Sequence, residues 1–87
     1  MDKEFIIKLL KCLNSNQLQI NDVTILLTDY CVVEYNKSVT DTNKFMSIIL
    51  SDPIITSTYV NIALDYYKRK FNIYELYSKE GKLLQIF

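Results

Sequence analysis

The feature that most constrains the fold is a change of hydrophobic period in the last third of the chain. Apolar residues first recur at i, i+3, i+4 and i+7, which is one face of a helix, as Val60, Ala63, Leu64 and Tyr67. Thr56 or Ser57 precedes them and can cap the helix, and three cations at 68–70 suit its carboxyl end. The spacing predicts a helix over about residues 57–70.

After this helix the sequence changes to a pattern typical of strands. Residues 73–77 are rich in β-branched and aromatic side chains, and residues 83–87 form a second apolar run. Between them lies Gly81, the single glycine of the chain, where a hairpin loop favours a residue with positive φ. The pattern predicts a β-hairpin over residues 73–87.

Three further helices are predicted upstream. The first, about 2–13, has a wide apolar stripe, and the third, about 42–50, is ended by the turn before Pro53. The second, about 21–36, begins at Asn21, a good N-cap, but its β-branched residues leave a strand open as an alternative. This second segment is apolar nearly all round, which indicates burial in the core or against a partner chain.

The predicted order of a helix, a turn, a capped helix and a hairpin resembles the winged helix-turn-helix family of DNA-binding proteins. In that family a valine opens the recognition helix, an Ala-Leu pair and another large apolar residue follow, and a strand then begins with Ile or Val. The matching residues here are Val60, Ala63, Leu64, Tyr67 and Ile73. The resemblance covers roughly the last half of the chain.

The resemblance implies an α+β fold, mainly α with a C-terminal β-hairpin that forms the wing at 73–87. Leu18 and Ile20 alternate with Gln17 and Gln19, which indicates a short strand at residues 17–20, and the resemblance implies that this strand joins the hairpin as a third member. Two features depart from the family: Phe71 stands where glycine is common, and the turn 51–56 before the recognition helix is long.

Length and charge bound the possible functions. Eighty-seven residues predict a single domain, 1–87, and an apolar content of 49% exceeds what a small core needs, which predicts a self-association surface. The net charge is zero, which counts against nucleic-acid binding. The cations nevertheless gather late in the chain, since residues 66–87 hold five cations and two acids.

The residues that support catalysis are absent or scattered. The chain has no histidine and no glycine-rich phosphate loop, so we predict that it is not an enzyme and that it uses no metal or cofactor. Cys12 and Cys31 lie in apolar surroundings, which favours buried free thiols in a reducing cytoplasm over a disulfide. No signal peptide and no apolar run of about 20 residues occurs, so a cytoplasmic location without a membrane partner is predicted.

The candidate DNA contacts follow from the resemblance, which implies that the predicted 57–70 helix enters the major groove. An outward asparagine there can pair with adenine, and lysines at the wing can reach phosphates. The predicted DNA-binding residues are Lys44, Ser57, Thr58, Tyr59, Asn61, Asp65, Arg69, Lys79 and Lys82. The alternative for each is an ordinary solvated helix face. Ile62 and Tyr66 are apolar where a monomer favours polar groups, which predicts a dimer interface.

These patterns predict a small, dimeric, sequence-specific protein that binds double-stranded DNA. Two forms remain open. One is a transcriptional repressor. The other is similar to the TubR-like centromere-binding adaptors of tubulin-type (type III) plasmid and phage partition systems, whose partner is a filament-forming GTPase. An alternative of another class is a protein-interaction module, a small phage or plasmid inhibitor or assembly factor without DNA binding, which the zero net charge and the seven tyrosines favour.

Overall fold

A computed structural model of the chain shows four helices followed by a pair of short strands. The helices are α1 (Lys3–Asn14), α2 (Ile20–Tyr35), α3 (Val39–Leu50) and α4 (Pro53–Lys70), and the strands are β1 (Glu75–Tyr77) and β2 (Leu83–Ile86). The structure describes residues 1–36, 38–77 and 83–86, with the backbone alone for residues 39, 76, 77 and 83–86.

Polar caps decide where three of the helices begin. The side chains of Asp2, Ser38 and Asp52 accept hydrogen bonds from backbone N–H groups in the first turns of α1, α3 and α4. Pro53 takes the first position of α4, where its fixed φ suits a helix and its missing N–H costs nothing. As a result, α3 and α4 begin earlier than predicted, and the turn between them is the two residues 51–52 instead of 51–56.

Asparagines in the left-handed region stand at or just beyond the ends of three helices. Asn16, Asn36 and Asn72 have φ values of 56°, 48° and 55°, a conformation that asparagine tolerates better than most residues. After α4, the backbone N–H of Ile73 donates to the carbonyl of Lys68 at 2.8 Å, which closes the last turn. Asn72 therefore supplies the left-handed residue that ends α4.

The hydrophobic core lies between the four helices. It consists of buried apolar side chains from each helix and one residue after α4: Ile6, Leu9, Leu10, Val23, Leu26, Leu27, Tyr30, Met46, Ile49, Val60, Ala63, Leu64, Tyr67 and Ile73. The helices supply nearly all of the apolar burial that stabilises the described part of the chain.

The predicted α+β winged helix-turn-helix fold is wrong, because the described chain is a helical assembly in which no sheet packs on the core. Where described, β1 and β2 are three and four residues long and pair antiparallel with each other, with Glu75 opposite Ile86. A single pair of strands of this length is marginally stable by itself and is smaller than the sheet of a two-layer fold. A wing over 73–87 is not seen, and its predicted loop at 78–82 lies outside the described residues.

The predicted third strand is also wrong. Residues 17–19 belong to neither a helix nor a strand, and Ile20 is already the first residue of α2. The alternation of polar and apolar residues there arises because Leu18 packs against the core in the connection between α1 and α2. A period of two over four residues is too short to distinguish a strand from a loop with one buried anchor.

Candidate interaction surface

The helix pair α3–α4 carries most of the residues that the sequence singled out, and short-range hydrogen bonds hold its geometry. One carboxylate oxygen of Asp52 accepts from the backbone N–H groups of Ile54 at 2.9 Å and Ile55 at 3.4 Å. The Thr56 hydroxyl donates toward the Ile49 carbonyl at 2.8 Å and the Asp52 carbonyl at 3.0 Å. The first turn of α4 is therefore fastened to the last turn of α3.

The side of α4 that faces the core is the side that the sequence predicted. Val60, Ala63, Leu64 and Tyr67 are all buried, which confirms the helical spacing read from the sequence. The hydroxyl of Tyr67 donates to the carboxylate of Asp29 on α2, so α4 is bound to α2 by a polar contact as well as by packing. The opposite side of α4 must then face solvent.

Most of the proposed DNA contacts on α4 are exposed, as the spacing requires. The Thr58 hydroxyl donates to the carbonyl of Ile54 at 2.9 Å, in the common pattern of a helical threonine. Arg69 lies 3.2 Å from the carboxylate of Asp65, one turn earlier, and both side chains are exposed. Asn61 and Asp65 border a groove of about 190 Å³ between α1 and α4.

The other proposed DNA contacts have varied surroundings. Tyr59 is half-buried, with its ring edge-on to Phe45 of α3 at 5.6 Å between centroids, so it joins the two helices. Ser57 is exposed and borders a second groove, and Lys44 is exposed on α3. Lys79 and Lys82 lie outside the described residues. The exposure of Ser57 and Lys44 permits contact with DNA.

The two residues predicted at a dimer interface differ in their surroundings. Ile62 is 45% exposed on the outward side of α4. Tyr66 is half-buried and packs edge-on against Tyr30 at 5.5 Å and against Tyr67 at 5.0 Å between ring centroids. The ring of Tyr66 thus contributes to packing within the chain, while Ile62 remains available to a partner.

The tyrosine cluster has one electrostatic consequence. Burial, followed by the proximity of Tyr35, raises the pKa of Tyr30 to about 12, because a phenolate there loses its hydration. Tyr35 meets Tyr30 edge-on at 5.8 Å between ring centroids. The contact between Tyr30 and Tyr66 joins α2 to α4, so this cluster has a structural role. Tyr30 stays protonated at neutral pH.

The charge along α3–α4 does not match a surface that binds phosphates. Between Lys44 and Lys68 the sequence has no cation and two acids, Asp52 and Asp65. The carboxylate of Asp52 occupies the amino end of α4, where a DNA-reading helix favours cations and free N–H groups. The exposed cations of α4 are confined to its last turn.

The structure shows an apolar surface that the sequence analysis did not identify. Ile54 is 78% exposed, and Thr58 and Ile62 follow it by four and eight residues, which places them on its side of α4. Ile55 lies three and seven residues before the same two side chains and so borders this side. We call Ile54, Ile55, Thr58 and Ile62 the isoleucine face. It was missed because residues 54 and 55 were assigned to a turn. The pair Asp52–Pro53, a cap followed by proline, is the signal that could have placed them on the helix.

An apolar groove of about 360 Å³ opens at the end of the structure where α1 and α3 finish and α2 and α4 begin. Its lining includes Leu13, Leu18, Ile20, Leu50 and Val60, with the hydroxyls of Thr56 and Ser57 as polar groups. The volume is that of a small ligand site. The Thr56 hydroxyl is already bonded to two carbonyl groups, so the groove presents few free polar groups to a ligand.

Metal-binding clusters and membrane-spanning helices are both absent from the described part of the chain. No three residues of the types His, Cys, Asp and Glu come together there in a geometry that could hold a metal ion. Within the same residues, none of the helices has the length and apolar content required to cross a bilayer. Neither Cys12 nor Cys31 is in a disulfide.

Comparisons with known proteins add no identification. No protein-family model matches the chain, and neither a curated protein nor a solved structure matches it.

Proposed function

We propose that this chain is a small protein-binding module that docks through the isoleucine face of α4. The observation that carries the proposal is a contiguous apolar, cation-free surface on a helix whose other side is fastened to the core. Full burial of an isoleucine side chain stabilises by about 1.5–3 kcal/mol, so covering the exposed parts of Ile54 and Ile62 supplies about 2–4 kcal/mol. This is a substantial contribution to a protein interface.

The partner expected for this surface is a protein with an apolar groove that accepts one side of a helix. Ile55 and Ile62 are seven residues apart and Ile54 and Ile62 eight, which is the anchor spacing of helix-in-groove recognition. Thr58 lies between the anchors and its hydroxyl donor is already bonded to the Ile54 carbonyl, so burying it costs less than burying an unbonded hydroxyl. Thr58 is therefore the one polar side chain of the face, and its donor is already satisfied within the helix.

The proposal is non-catalytic and cytoplasmic. Cys12 and Cys31 form no disulfide, which suits a reducing compartment, and the absence of histidine removes the commonest general base. A small inhibitor or assembly factor is the form of this function that requires nothing beyond one docking surface.

DNA binding through α4 is the second candidate. It is favoured by the exposure of Thr58 and Asn61 and by the three consecutive cations Lys68, Arg69 and Lys70 at the end of the helix. The repressor and the partition adaptor with its GTPase partner belong to this candidate. The cation-free amino-terminal part of α4 makes it the weaker of the two.

The test begins by identifying a partner at a defined position of the surface. A photo-crosslinking amino acid is placed at position 54 and, as a matched control, at the exposed position 40 of α3, in protein expressed in its native host. A protein that crosslinks from position 54 and not from position 40 is then purified. Its direct binding to the chain is measured by titration calorimetry.

The titration includes three variants. We expect Ile54→Lys to weaken binding by about tenfold or more, because it places a cation where the partner would bury an apolar side chain. Thr40→Lys and Asn61→Ala should leave the affinity unchanged. An affinity that Ile54→Lys does not alter overturns the proposal.

The same variants test the DNA candidate by mobility shift with DNA from the genetic neighbourhood of the chain, at low and high salt. A discrete, salt-sensitive shift that is lost in Asn61→Ala and kept in Ile54→Lys would establish DNA binding instead. This pattern is the reverse of the one expected for the protein-binding module.

A further inference from the structure

The solvent side of α2 carries a second apolar strip, separate from the isoleucine face. Helix α2 buries apolar residues toward the core, yet Ile25 is 52% exposed, Val32 is 42% exposed and Tyr35 is 49% exposed. With Thr28 they follow the spacing 25, 28, 32, 35, in which steps of three and four residues alternate. This is the a and d spacing of a coiled-coil contact. We call Ile25, Thr28, Val32 and Tyr35 the α2 seam.

The shape of the seam matches its spacing. Ile25, Thr28, Asp29 and Val32, together with Thr24, line an open depression of about 420 Å³ on the surface of α2. Residues i, i+3, i+4 and i+7 of one helix form the four-residue hole that receives a side chain from a facing helix. The exposed side of α2 thus carries such a hole, with the β-branched side chains of Ile25 and Val32 at its two ends.

The charges beside the seam determine what can cover it. Asp22 is held by Lys8, with 3.1 Å between the ammonium nitrogen and a carboxylate oxygen. Asp29 accepts the hydroxyl of Tyr67. Glu34 is two residues from Val32 and so does not share its side of the helix. The two aspartates that flank the seam, Asp22 and Asp29, thus already have partners within the chain. A partner helix rich in cations would find no unpaired carboxylate there. The uncharged seam of a second copy would meet no unpaired charge.

We propose that a second copy of this chain covers the seam, with α2 packed against α2 about a two-fold axis. The seam is self-complementary, because each copy carries both the hole and the side chains, Ile25 and Val32, that fill the hole of the other. β-branched residues at the a positions favour a two-helix arrangement. This inference concerns a different helix from the proposed function and does not depend on it.

The length of the seam sets the strength of the dimer. Helix α2 has 16 residues, which corresponds to about 24 Å at the rise of an α-helix. One helix pair of this length gives an interface at the low end of the known range, below about 1,200 Å² in total, where association is reversible. The dimer should therefore exchange with monomer at micromolar concentrations.

The experiment is sedimentation equilibrium of the full chain from micromolar to near-millimolar concentration. The weight-average mass of the wild type should rise from 10.3 kDa toward twice that value. Ile25→Lys should raise the dimer dissociation constant by about tenfold or more, since it places a cation in the hole. Thr28→Leu should lower the dissociation constant, because it replaces a polar residue at a d position with an apolar one.

Two controls keep the result specific. Far-ultraviolet circular dichroism verifies that each variant is folded, and Val32→Lys replaces Ile25→Lys if the latter unfolds. Ile54→Lys, at the most exposed isoleucine of α4, should leave the dissociation constant unchanged.

A wild type that remains at 10.3 kDa throughout overturns the proposal. A dimer whose dissociation constant is changed neither by Ile25→Lys nor by Thr28→Leu also overturns it. The same holds for a dimer that Ile54→Lys weakens and Ile25→Lys does not. None of these results bears on partner binding by the isoleucine face, which is measured with a different protein.

Discussion

The hydrogen bond between Tyr67 and Asp29 offers a direct measurement of how α4 is held to α2. Tyr67 is fully buried, and its hydroxyl donates to the Asp29 carboxylate 38 residues earlier in the chain. Its ring stacks on Phe71 and meets Tyr66 edge-on, so Tyr67→Phe removes the hydroxyl and leaves the ring packing in place. The substitution isolates one polar contact between two helices.

The expected cost follows from the surroundings of the two groups. A hydrogen bond to a charged acceptor contributes about 1.5–3 kcal/mol. The lower figure applies to Tyr67→Phe, because the side chain of Asp29 is 30% exposed and water can replace the lost donor. Asp29→Ala instead leaves a fully buried hydroxyl without this acceptor, which costs about 1–3 kcal/mol. For a domain of this size, a loss of about 1.5 kcal/mol lowers Tm by about 6–12 °C.

The assay is a double-mutant cycle read by urea denaturation and thermal melting. Because both single substitutions break the same contact, the double variant should be less destabilised than the sum of the two, by about 1 kcal/mol or more. Tyr74→Phe, at an exposed tyrosine, is the control and should change the free energy of unfolding by less than about 0.5 kcal/mol. A neutral Tyr67→Phe, or two losses that simply add, would show that the contact does not couple α2 to α4.

Three further outcomes follow from single side chains. The pKa of Tyr30 is raised from 10.0 to about 12 in the folded chain, so the folded state favours the protonated hydroxyl. The contribution of Tyr30 to the free energy of unfolding should therefore be complete below pH 10 and be lost as the pH rises through about 12. Tyr30→Phe should flatten this alkaline loss in pH-dependent urea titrations. Asp52→Ala removes the cap of α4 and should cost about 1 kcal/mol, measured by thermal melting. The Thr42 hydroxyl is fully buried and has no hydrogen-bond partner among the described residues, so Thr42→Val should be neutral or stabilising in the same measurement.

The inward side of α4 was predictable from the sequence, whereas its beginning was not predicted correctly. Val60, Ala63, Leu64 and Tyr67 repeat with a helical period that few other structures accommodate. The start of α4 depends on whether Asp52 caps it or merely ends α3, and the local sequence allows both. The residue before a proline often ends one helix, while a proline can open the next, and here both happen within two residues.

The predicted hairpin shows why a local strand pattern can lead to a wrong fold class. Strand-forming residues over 73–77 and 83–87 do correspond to β1 and β2 in part. A winged-helix fold also requires a sheet that packs on the helices, and that depends on long-range contacts which local spacing does not encode. Among the described side chains, the core is formed by the four helices and Ile73.

The sequence by itself determined that the chain is mainly helical and which residues of α4 turn inward, because a period of 3.6 residues is a local property. Only the tertiary structure decided which side of α2 faces the core, since this helix is apolar nearly all round and its own spacing favours no single direction. Packing against α3 and α4 buries Leu26 and Leu27 and leaves Ile25 and Val32 at the surface. The surfaces open to a partner are thus fixed by how the helices pack together, which lies beyond the reach of any local pattern.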